Sequence, residues 1–238
     1  MNHSFPLTVL STLMLISACT TPAPVVPEAK LRLQCPVSAD TGKKVPIFIK
    51  HTGDASDPLQ QIALSIDSNP EQHREALTAQ MQGPYPVTTL HMNVRVSGTD
   101  TARLRASGVF QSGQTETATC SFTFANGVSF DDIATLVDPD PNAPISPVGR
   151  QWLQVKQTGN SNTISIASLL IHPMRAGAGN ELLNGVTVVY RDTEVARLTL
   201  GDSIASNPFL GIALTDGQVG KTRVVWQTTA GKIYEMEQ

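Results

Sequence analysis

Short runs in which apolar and polar residues alternate constrain the fold of this chain more than any other feature. One run places Leu90, Met92, Val94 and Val96 at every second position. A β-strand turns successive side chains to opposite faces, so this period of two predicts a strand with one buried face. Similar runs recur between residues 31 and 124, separated by turn-rich segments. They predict an antiparallel β-sandwich for the first half of the chain.

The second half of the chain, from residue 149 onward, carries the same signal. Residues 191–194 and 229–231 are typical of hairpin turns. Strands are predicted at 153–156, 164–171, 186–190, 195–200, 209–214, 223–227 and 233–236. The predicted fold class is all-β, with two sandwich domains in tandem.

One segment is ambiguous between a helix and a strand. Asn69 and Pro70 have the residue types of a helix start, at the N-cap and first helical positions. Leu77, Ala79 and Met81 alternate as they would in a strand. We favour a loop that leads into a short strand.

The first 18 residues form a separate unit. Their apolar stretch is too short to span a bilayer of roughly 30 Å, and it ends in Ile16-Ser17-Ala18-Cys19. This sequence resembles the bacterial lipobox, in which the chain is cleaved before a cysteine that then carries lipid. The resemblance implies a signal peptide at 1–18, lipidation of Cys19 and a tether at 19–29. An ordinary secretion signal is the alternative, and the absence of Lys and Arg from the first four residues departs from both patterns.

Lipidation of Cys19 implies a protein that is anchored to the cell envelope and faces the periplasm, because two or more acyl chains hold stably to a membrane. Thr20 follows the cysteine, where the lipoprotein family has aspartate in proteins retained at the inner membrane. The expected location is therefore the outer membrane rather than the inner one.

The other two cysteines are predicted to form a disulfide. Leu31, Leu33, Cys35 and Val37 alternate with polar residues or proline, and Cys120 lies in a similar run. Both thiols should therefore point inward, on the first and last strands of one domain, and an oxidising compartment favours their bonding. A reactive carrier thiol at Cys120 is the alternative, which its apolar setting disfavours.

Residues 128–148 divide the two domains. This segment contains four Asp and four Pro, which is typical of an extended linker because proline restricts the backbone. Calcium binding by the aspartates is the alternative, but the order of ligands in an EF-hand is missing. The domain boundaries are therefore placed at 30–127 and 149–238.

The second domain carries segments that match a known family. They are Leu170-Ile171-His172-Pro173-Met174, Ala205-Ser206-Asn207-Pro208-Phe209 and Val225-Trp226. In order and spacing they resemble the His-Pro-Met turn, the Asn-Pro-aromatic segment and the late tryptophan strand of SoxZ, one half of the periplasmic SoxYZ sulfur carrier. His172 is a candidate ligand or acid-base group, but a place in the turn or at the domain contact is favoured. Met174 is interpreted as core or interface rather than a metal ligand.

The first domain more weakly resembles SoxY. The matching residues are Lys44-Val45-Pro46-Ile47 and Ile66-Asp67-Ser68-Asn69-Pro70. The two resemblances together imply a SoxY–SoxZ fusion of two immunoglobulin-like sandwiches. SoxY carries its cargo on a cysteine in a Gly-Gly-Cys-Gly-Gly tail, whereas residues 125–129 here are Ala-Asn-Gly-Val-Ser. Covalent sulfur transport by that route is therefore not expected.

The remaining residues suggest no catalytic site. His51, His73 and His91 have no second ligand at metal spacing, and the alternation around His91 predicts that it faces solvent. Arg95, Arg103 and Arg105 are expected to share an outward face, where a role in solubility is favoured and binding of an anion or partner is the alternative. We find no nucleophile elbow or phosphate-binding loop. The net charge of −3 and the isoelectric point near 5.9 give no basic signature for nucleic acid.

The sequence thus predicts a non-enzymatic, membrane-anchored binding or adaptor protein with no cofactor and no metal. The resemblance implies a periplasmic partner from sulfur-oxidation or quinoprotein dehydrogenase systems. Two alternatives stay open: a covalent carrier that uses Cys120 or Cys35, and a structural lipoprotein of the envelope.

Overall fold

The computed structural model describes residues 29–40, 44–52, 56–67, 73–96, 98, 100–124, 148–158, 162–174, 181–215 and 218–238. The predicted signal peptide, Cys19, most of the tether and nearly all of the linker lie outside these residues. Strands make up 69% of the described part of the chain, and no helix occurs in it. The prediction of an all-β fold is confirmed, while its immunoglobulin-like character stays a prediction.

Eight strands come from the first half of the chain and seven from the second. Those of the first half are β1 (Leu31–Gln34), β2 (Ser38–Ala39), β3 (Lys44–His51), β4 (Leu59–Asp67), β5 (His73–Met81), β6 (Val87–Arg95), β7 (Thr101–Phe110) and β8 (Thr115–Phe124). Those of the second half are β9 (Gln151–Gln157), β10 (Thr163–Leu170), β11 (Leu183–Tyr190), β12 (Thr193–Leu200), β13 (Phe209–Thr215), β14 (Thr222–Thr228) and β15 (Ile233–Glu237).

The strands form two packed sheets, and both sheets run through both halves of the chain. The smaller sheet has the order β1-β3-β6-β13-β10-β9, and the larger one has the order β15-β14-β11-β12-β5-β4-β7-β8-β2. The halves meet at two antiparallel pairs, with Met92 opposite Leu210 in one and Ala79 opposite Leu198 in the other. Each half is therefore a sandwich, joined to the other edge to edge through main-chain hydrogen bonds.

The buried apolar residues of the two halves form one continuous core between the sheets. Alternation supplies it: in β10 every second residue is buried, and β13 follows the same pattern. The largest fully buried side chains include Tyr190, Phe110, Phe122 and Trp226. Burying large aromatic side chains contributes much of the stability of such a core.

The structure resolves the ambiguous segment in favour of a strand. β5 covers its second part and pairs with β4 on one side and β12 on the other. The helix alternative is wrong for the residues of β5, because ladder partners on both sides satisfy its backbone groups. The predicted hairpin turns are also present, with positive φ at Arg191, Asp192 and Gly231.

The alternation noted at residues 31–37 does not continue to its end in the structure. Val37 is 88% exposed, although it continues the alternation of Leu31 and Leu33. The strand ends before it, because Pro36 has no N–H to donate to a ladder. The chain then turns into β2, which pairs in parallel with β8.

The predicted disulfide between Cys35 and Cys120 is confirmed, with the two Cα atoms 6.1 Å apart. Cys35 directly follows β1 at one edge of the smaller sheet, and Cys120 lies in β8 of the larger sheet. Both side chains are half-buried and pack against the core. The bond therefore ties the two sheets together in the first half of the molecule.

Hydrogen bonds to carboxylates hold the beginning of β1 in place. The Glu116 carboxylate accepts the N–H groups of Lys30 and Leu31, at 2.8 and 3.0 Å. Lys30 Nζ lies 2.9 Å from Asp57, whose carboxylate also accepts hydrogen bonds from Ser112. The hydrogen bond from Lys30 and those from Ser112 lower the pKa of Asp57. The point where the predicted tether joins the body of the protein is thus firmly attached.

Removing the disulfide should destabilise the fold substantially. The bond closes a loop of 85 residues, and its loss in a Cys35→Ser/Cys120→Ser variant should lower the free energy of unfolding by about 4 kcal/mol. Urea denaturation of the variant and the wild-type protein would measure the difference. Wild-type protein reduced with dithiothreitol is the matched control and should unfold at a similarly low urea concentration. An unchanged midpoint in the variant would contradict the stabilising role.

Candidate functional site

The structure brings together the two family-like segments of the second half. His172-Pro173-Met174 follows β10, and Asn207-Pro208 precedes β13. The His172 N–H donates to Asn207 Oδ1 at 3.0 Å, and the Asn207 N–H donates to the His172 carbonyl oxygen at 2.7 Å. Ser206 Oγ adds a hydrogen bond of 2.6 Å to the carbonyl oxygen of Pro173. The two segments therefore form one hydrogen-bonded turn unit.

His172 is a buried residue of this unit, with only 3% of its surface exposed. Its Nδ1 accepts a hydrogen bond from the Met174 N–H at 3.3 Å, which requires that nitrogen to be unprotonated. Burial lowers the pKa of His172, and the positive charge of Lys232 lowers it further, against the opposing effect of Glu181. These contacts keep the ring neutral in its turn. Met174 itself lies in the core, 1% exposed.

Trp226 links the two sheets inside the second half. It is fully buried in β14 of the larger sheet, and its Nε1–H donates to Ser168 Oγ in β10 of the smaller sheet at 3.2 Å. The bond gives both buried polar groups a partner, which avoids the cost of desolvating them unpaired. This contact accounts for a tryptophan and a serine at these two buried positions.

The cysteines of the described region offer no free thiol. Cys35 and Cys120 are bonded to each other, and a disulfide sulfur has no thiolate to act as a nucleophile. Covalent attachment of a sulfur compound at either position would first require reduction of this bond.

The outer surface of the smaller sheet differs from that of the larger sheet in its charged residues. Its six strands contain five Lys or Arg and neither Asp nor Glu. We call this surface the basic aromatic face, and define it by the outward-facing residues Arg32, Lys44, Phe48, Lys50, His91, Arg95, Trp152, Lys156 and Phe209. Both halves contribute strands to it.

Aromatic side chains form a row across the basic aromatic face, from β3 to the edge strand β9. The His91 ring stacks on Phe48, with 4.0 Å between ring centroids, and lies 4.8 Å from Phe209. Phe209 and Trp152 lie on either side of β10, both opposite Leu169 in register. Trp152 is 44% exposed. The row of rings thus extends across the junction of the two halves.

His91 lies on the outer side of its strand, but Phe48 and Phe209 cover much of its ring. The prediction of a solvent-facing His91 is therefore only partly right. Burial lowers the pKa of His91 more than its hydrogen bond with Asn93 raises it. Its Nε2 is buried without a hydrogen-bond partner among the described residues.

The cations of the basic aromatic face surround this row of rings. Lys44, Lys50 and Lys156 form no ion pair with any described residue. The larger sheet contrasts with this, because its strands carry Asp67, Glu75, Glu116, Glu194, Glu235 and Glu237 against Arg74, Arg103, Arg105, Arg197 and Arg223. The strands of the smaller sheet therefore carry a net positive charge, whereas positive and negative charges nearly balance on the strands of the larger sheet.

The expectation that three arginines share one face is wrong. Arg95 lies in β6 of the smaller sheet, whereas Arg103 and Arg105 lie in β7 of the larger sheet. The chain crosses from one sheet to the other between these consecutive strands, so their outward faces lie on opposite sides of the molecule. Sequence analysis missed the basic aromatic face for this reason. The absence of carboxylates from β1, β3, β6, β9, β10 and β13 becomes visible only once these strands are known to share a sheet.

Comparison with known protein families gives no matching model, and comparison with curated proteins gives no match. Within the described ranges, no group of three or more His, Cys, Asp or Glu is placed to hold a metal ion. The described part of the chain also has no helix of the length and apolarity needed to cross a membrane.

Asn207 should be sensitive to substitution in a graded way. Its φ is 49°, in the left-handed region, and its side chain accepts the His172 N–H. Asn207→Gly loses the hydrogen bond alone, about 1 kcal/mol, whereas Asn207→Ala also incurs backbone strain and should lose about 2 kcal/mol. Urea denaturation would measure both values. Equal stabilities of the Ala and Gly variants would contradict the strain at this position.

Proposed function

We propose that this protein is a membrane-anchored, periplasm-facing adaptor, without enzymatic activity of its own, that binds an acidic protein surface through the basic aromatic face. The observation that carries the proposal is the composition of that face: a row of aromatic side chains crosses it, and every charged residue within its six strands is Lys or Arg. Aromatic residues are enriched at protein interfaces, and complementary charge guides partners into register.

The shape of the face also supports binding of another protein. It extends over all six strands of the smaller sheet, and Trp152 offers an exposed aromatic anchor. Buried aromatic anchors commonly supply most of the binding energy of an interface, whereas charges at its rim contribute mainly to the rate of association. Lys44, Lys50 and Lys156 are unpaired among the described residues and therefore available to acidic groups.

The sequence resemblance suggests which kind of partner to look for. The SoxZ-like segments lie together in the turn unit of His172 and Asn207, which is consistent with a shared local structure. A SoxYZ-like scaffold favours a periplasmic redox or sulfur-handling protein, from sulfur-oxidation or quinoprotein dehydrogenase systems. The outer membrane is the proposed location, since Thr20 follows the lipobox-like sequence.

The carrier alternative has less support than the adaptor. The chain lacks the Gly-Gly-Cys arm, and the disulfide occupies both Cys35 and Cys120. A purely structural lipoprotein would need no specific partner, and nothing in that role accounts for a sheet surface of one charge sign.

Attachment to the membrane should depend on Cys19. In the native bacterium, replacement by Cys19→Ala removes the thiol that accepts lipid, so the protein should move from the membrane pellet to the soluble periplasmic fraction. Immunoblotting of fractionated cells and metabolic labelling with a radioactive fatty acid would measure location and lipidation. Thr20→Ala is the matched control and should remain lipidated. Label on the Cys19→Ala variant would refute this attachment site.

Charge reversal on the basic aromatic face should abolish partner binding. A Lys50→Glu/Lys156→Glu variant changes the formal net charge from −3 by four units, to −7. Cross-linking in cells followed by mass spectrometry should recover an acidic periplasmic partner with the wild-type protein, and at least tenfold less with the variant. Added salt should weaken the complex, because exposed charges are screened.

The control reverses two charges on the larger sheet side. Arg103→Glu/Lys221→Glu reaches the same net charge of −7 and should retain the partner. Equal recovery of the partner with both double variants would contradict the proposed face. Recovery of abundant bystanders alone would contradict the adaptor function. Binding to anionic lipid vesicles, lost in the Lys50→Glu/Lys156→Glu variant alone, would replace the acidic protein with a membrane surface as the target.

A further inference from the structure

A groove lined by glutamines lies away from the basic aromatic face, at one end of the first half of the sandwich. It forms between the beginning of β4, the end of β7 and the turn that joins β5 to β6, with a volume of about 450 Å³. A second recess of about 380 Å³ continues it across the outer surface of the larger sheet, and the two share Gln61 and Gln80. Ligand-binding clefts commonly have volumes in this range.

Five glutamines line the groove, and they are Gln60, Gln61, Gln80, Gln82 and Gln111. All five are exposed, and none of their side-chain amides is hydrogen-bonded to another described residue. Outside the groove, the side chains of Gln114, Gln218 and Gln238 take part in hydrogen bonds within the protein, whereas Gln154 and Gln227 are exposed amides that stand apart from each other. The groove therefore collects free amides, each of which offers two donors and one acceptor.

A β-bulge places two consecutive glutamines on the surface. The register between β4 and β7 shifts between Leu59 and Gln61, so that both Gln60 and Gln61 are exposed. Gln61 then lies opposite Gln80 of β5. Bulges are frequent next to binding sites because they redirect side chains, and side chains at directly opposite positions lie close together.

The groove is electrically neutral. None of the residues that line the groove itself is charged. Arg197, at the side of the second recess, is neutralised by Glu194, to which it donates two hydrogen bonds of 2.9 and 2.6 Å. A charged ligand would find no counter-charge, and an apolar ligand would bury the amides without partners, at a cost in free energy.

The strands beneath the groove restrict how a ligand can bind. β4 and β5 are paired on both sides, so their backbone groups are unavailable to an added peptide strand. Contacts must come from the amides, from Tyr85 and Pro86 at one side and from the apolar floor of Leu59 and Met81. Neutral sugars match this lining, since each carries many hydroxyl groups that both donate and accept hydrogen bonds, beside apolar C–H faces. We infer that the groove binds a neutral polyhydroxylated ligand, a glycan chain.

Titration calorimetry of the mature protein, purified from its native cells in detergent micelles, would test this inference. The probes are chitotetraose, which carries N-acetyl groups, and cellotetraose, which does not. At least one should bind saturably, and the Gln61→Ala/Gln80→Ala variant should bind it at least tenfold more weakly, which corresponds to about 1.4 kcal/mol. Binding of chitotetraose alone would indicate an N-acetylated glycan, and equal binding of both would indicate recognition of the hydroxyl groups.

The matched control is Gln154→Ala/Gln227→Ala, which removes two exposed amides outside the groove and should leave binding unchanged. Urea denaturation would confirm that both variants are folded. Failure of both oligosaccharides to bind saturably would overturn the inference, as would equal binding by the groove variant and the wild-type protein. The result is independent of partner binding, because the basic aromatic face lies on the other sheet.

Discussion

Main-chain hydrogen bonds across two seams hold this molecule together. One seam joins β6 to β13 in the smaller sheet, and the other joins β5 to β12 in the larger sheet. Because both sheets pass through the junction, the apolar side chains of both halves pack into a single core. The basic aromatic face depends on the first seam, since Phe48 and His91 come from one half, and Phe209 and Trp152 from the other.

The sequence predicts individual strands well, because alternation is a local property. All seven strands expected after residue 149 occur. The two hairpin turns expected at residues 191–194 and 229–231 occur as well. The disulfide was predictable for the same reason, because Cys35 and Cys120 each occupy a position where alternation directs side chains inward. Val37 shows the limit of that reasoning, because a single proline ended the strand and released the next side chain to solvent.

The assignment of strands to sheets was beyond the reach of the sequence. Arg95 and Arg103 lie in consecutive strands, yet they end on opposite sides of the protein. Met92 and Leu210 are adjacent in space but belong to different halves of the chain. Pairing over such distances leaves no local pattern, so the basic aromatic face and the glutamine groove could not be recognised from alternation alone. The turn unit was predictable only in part. The sequence identifies its two segments, but not the hydrogen bonds that join His172 to Asn207.

The edge-to-edge union of the two sandwiches has a consequence for how the chain can evolve. If a gene-splitting event placed residues 30–124 and 149–238 on separate polypeptides, each fragment would expose two sheet edges, formed by β5 and β6 in one and by β12 and β13 in the other. Unprotected edges of this kind recruit strands from other molecules and promote aggregation. Because both halves belong to one chain, each of these sheet edges stays paired with its partner strand in the other half.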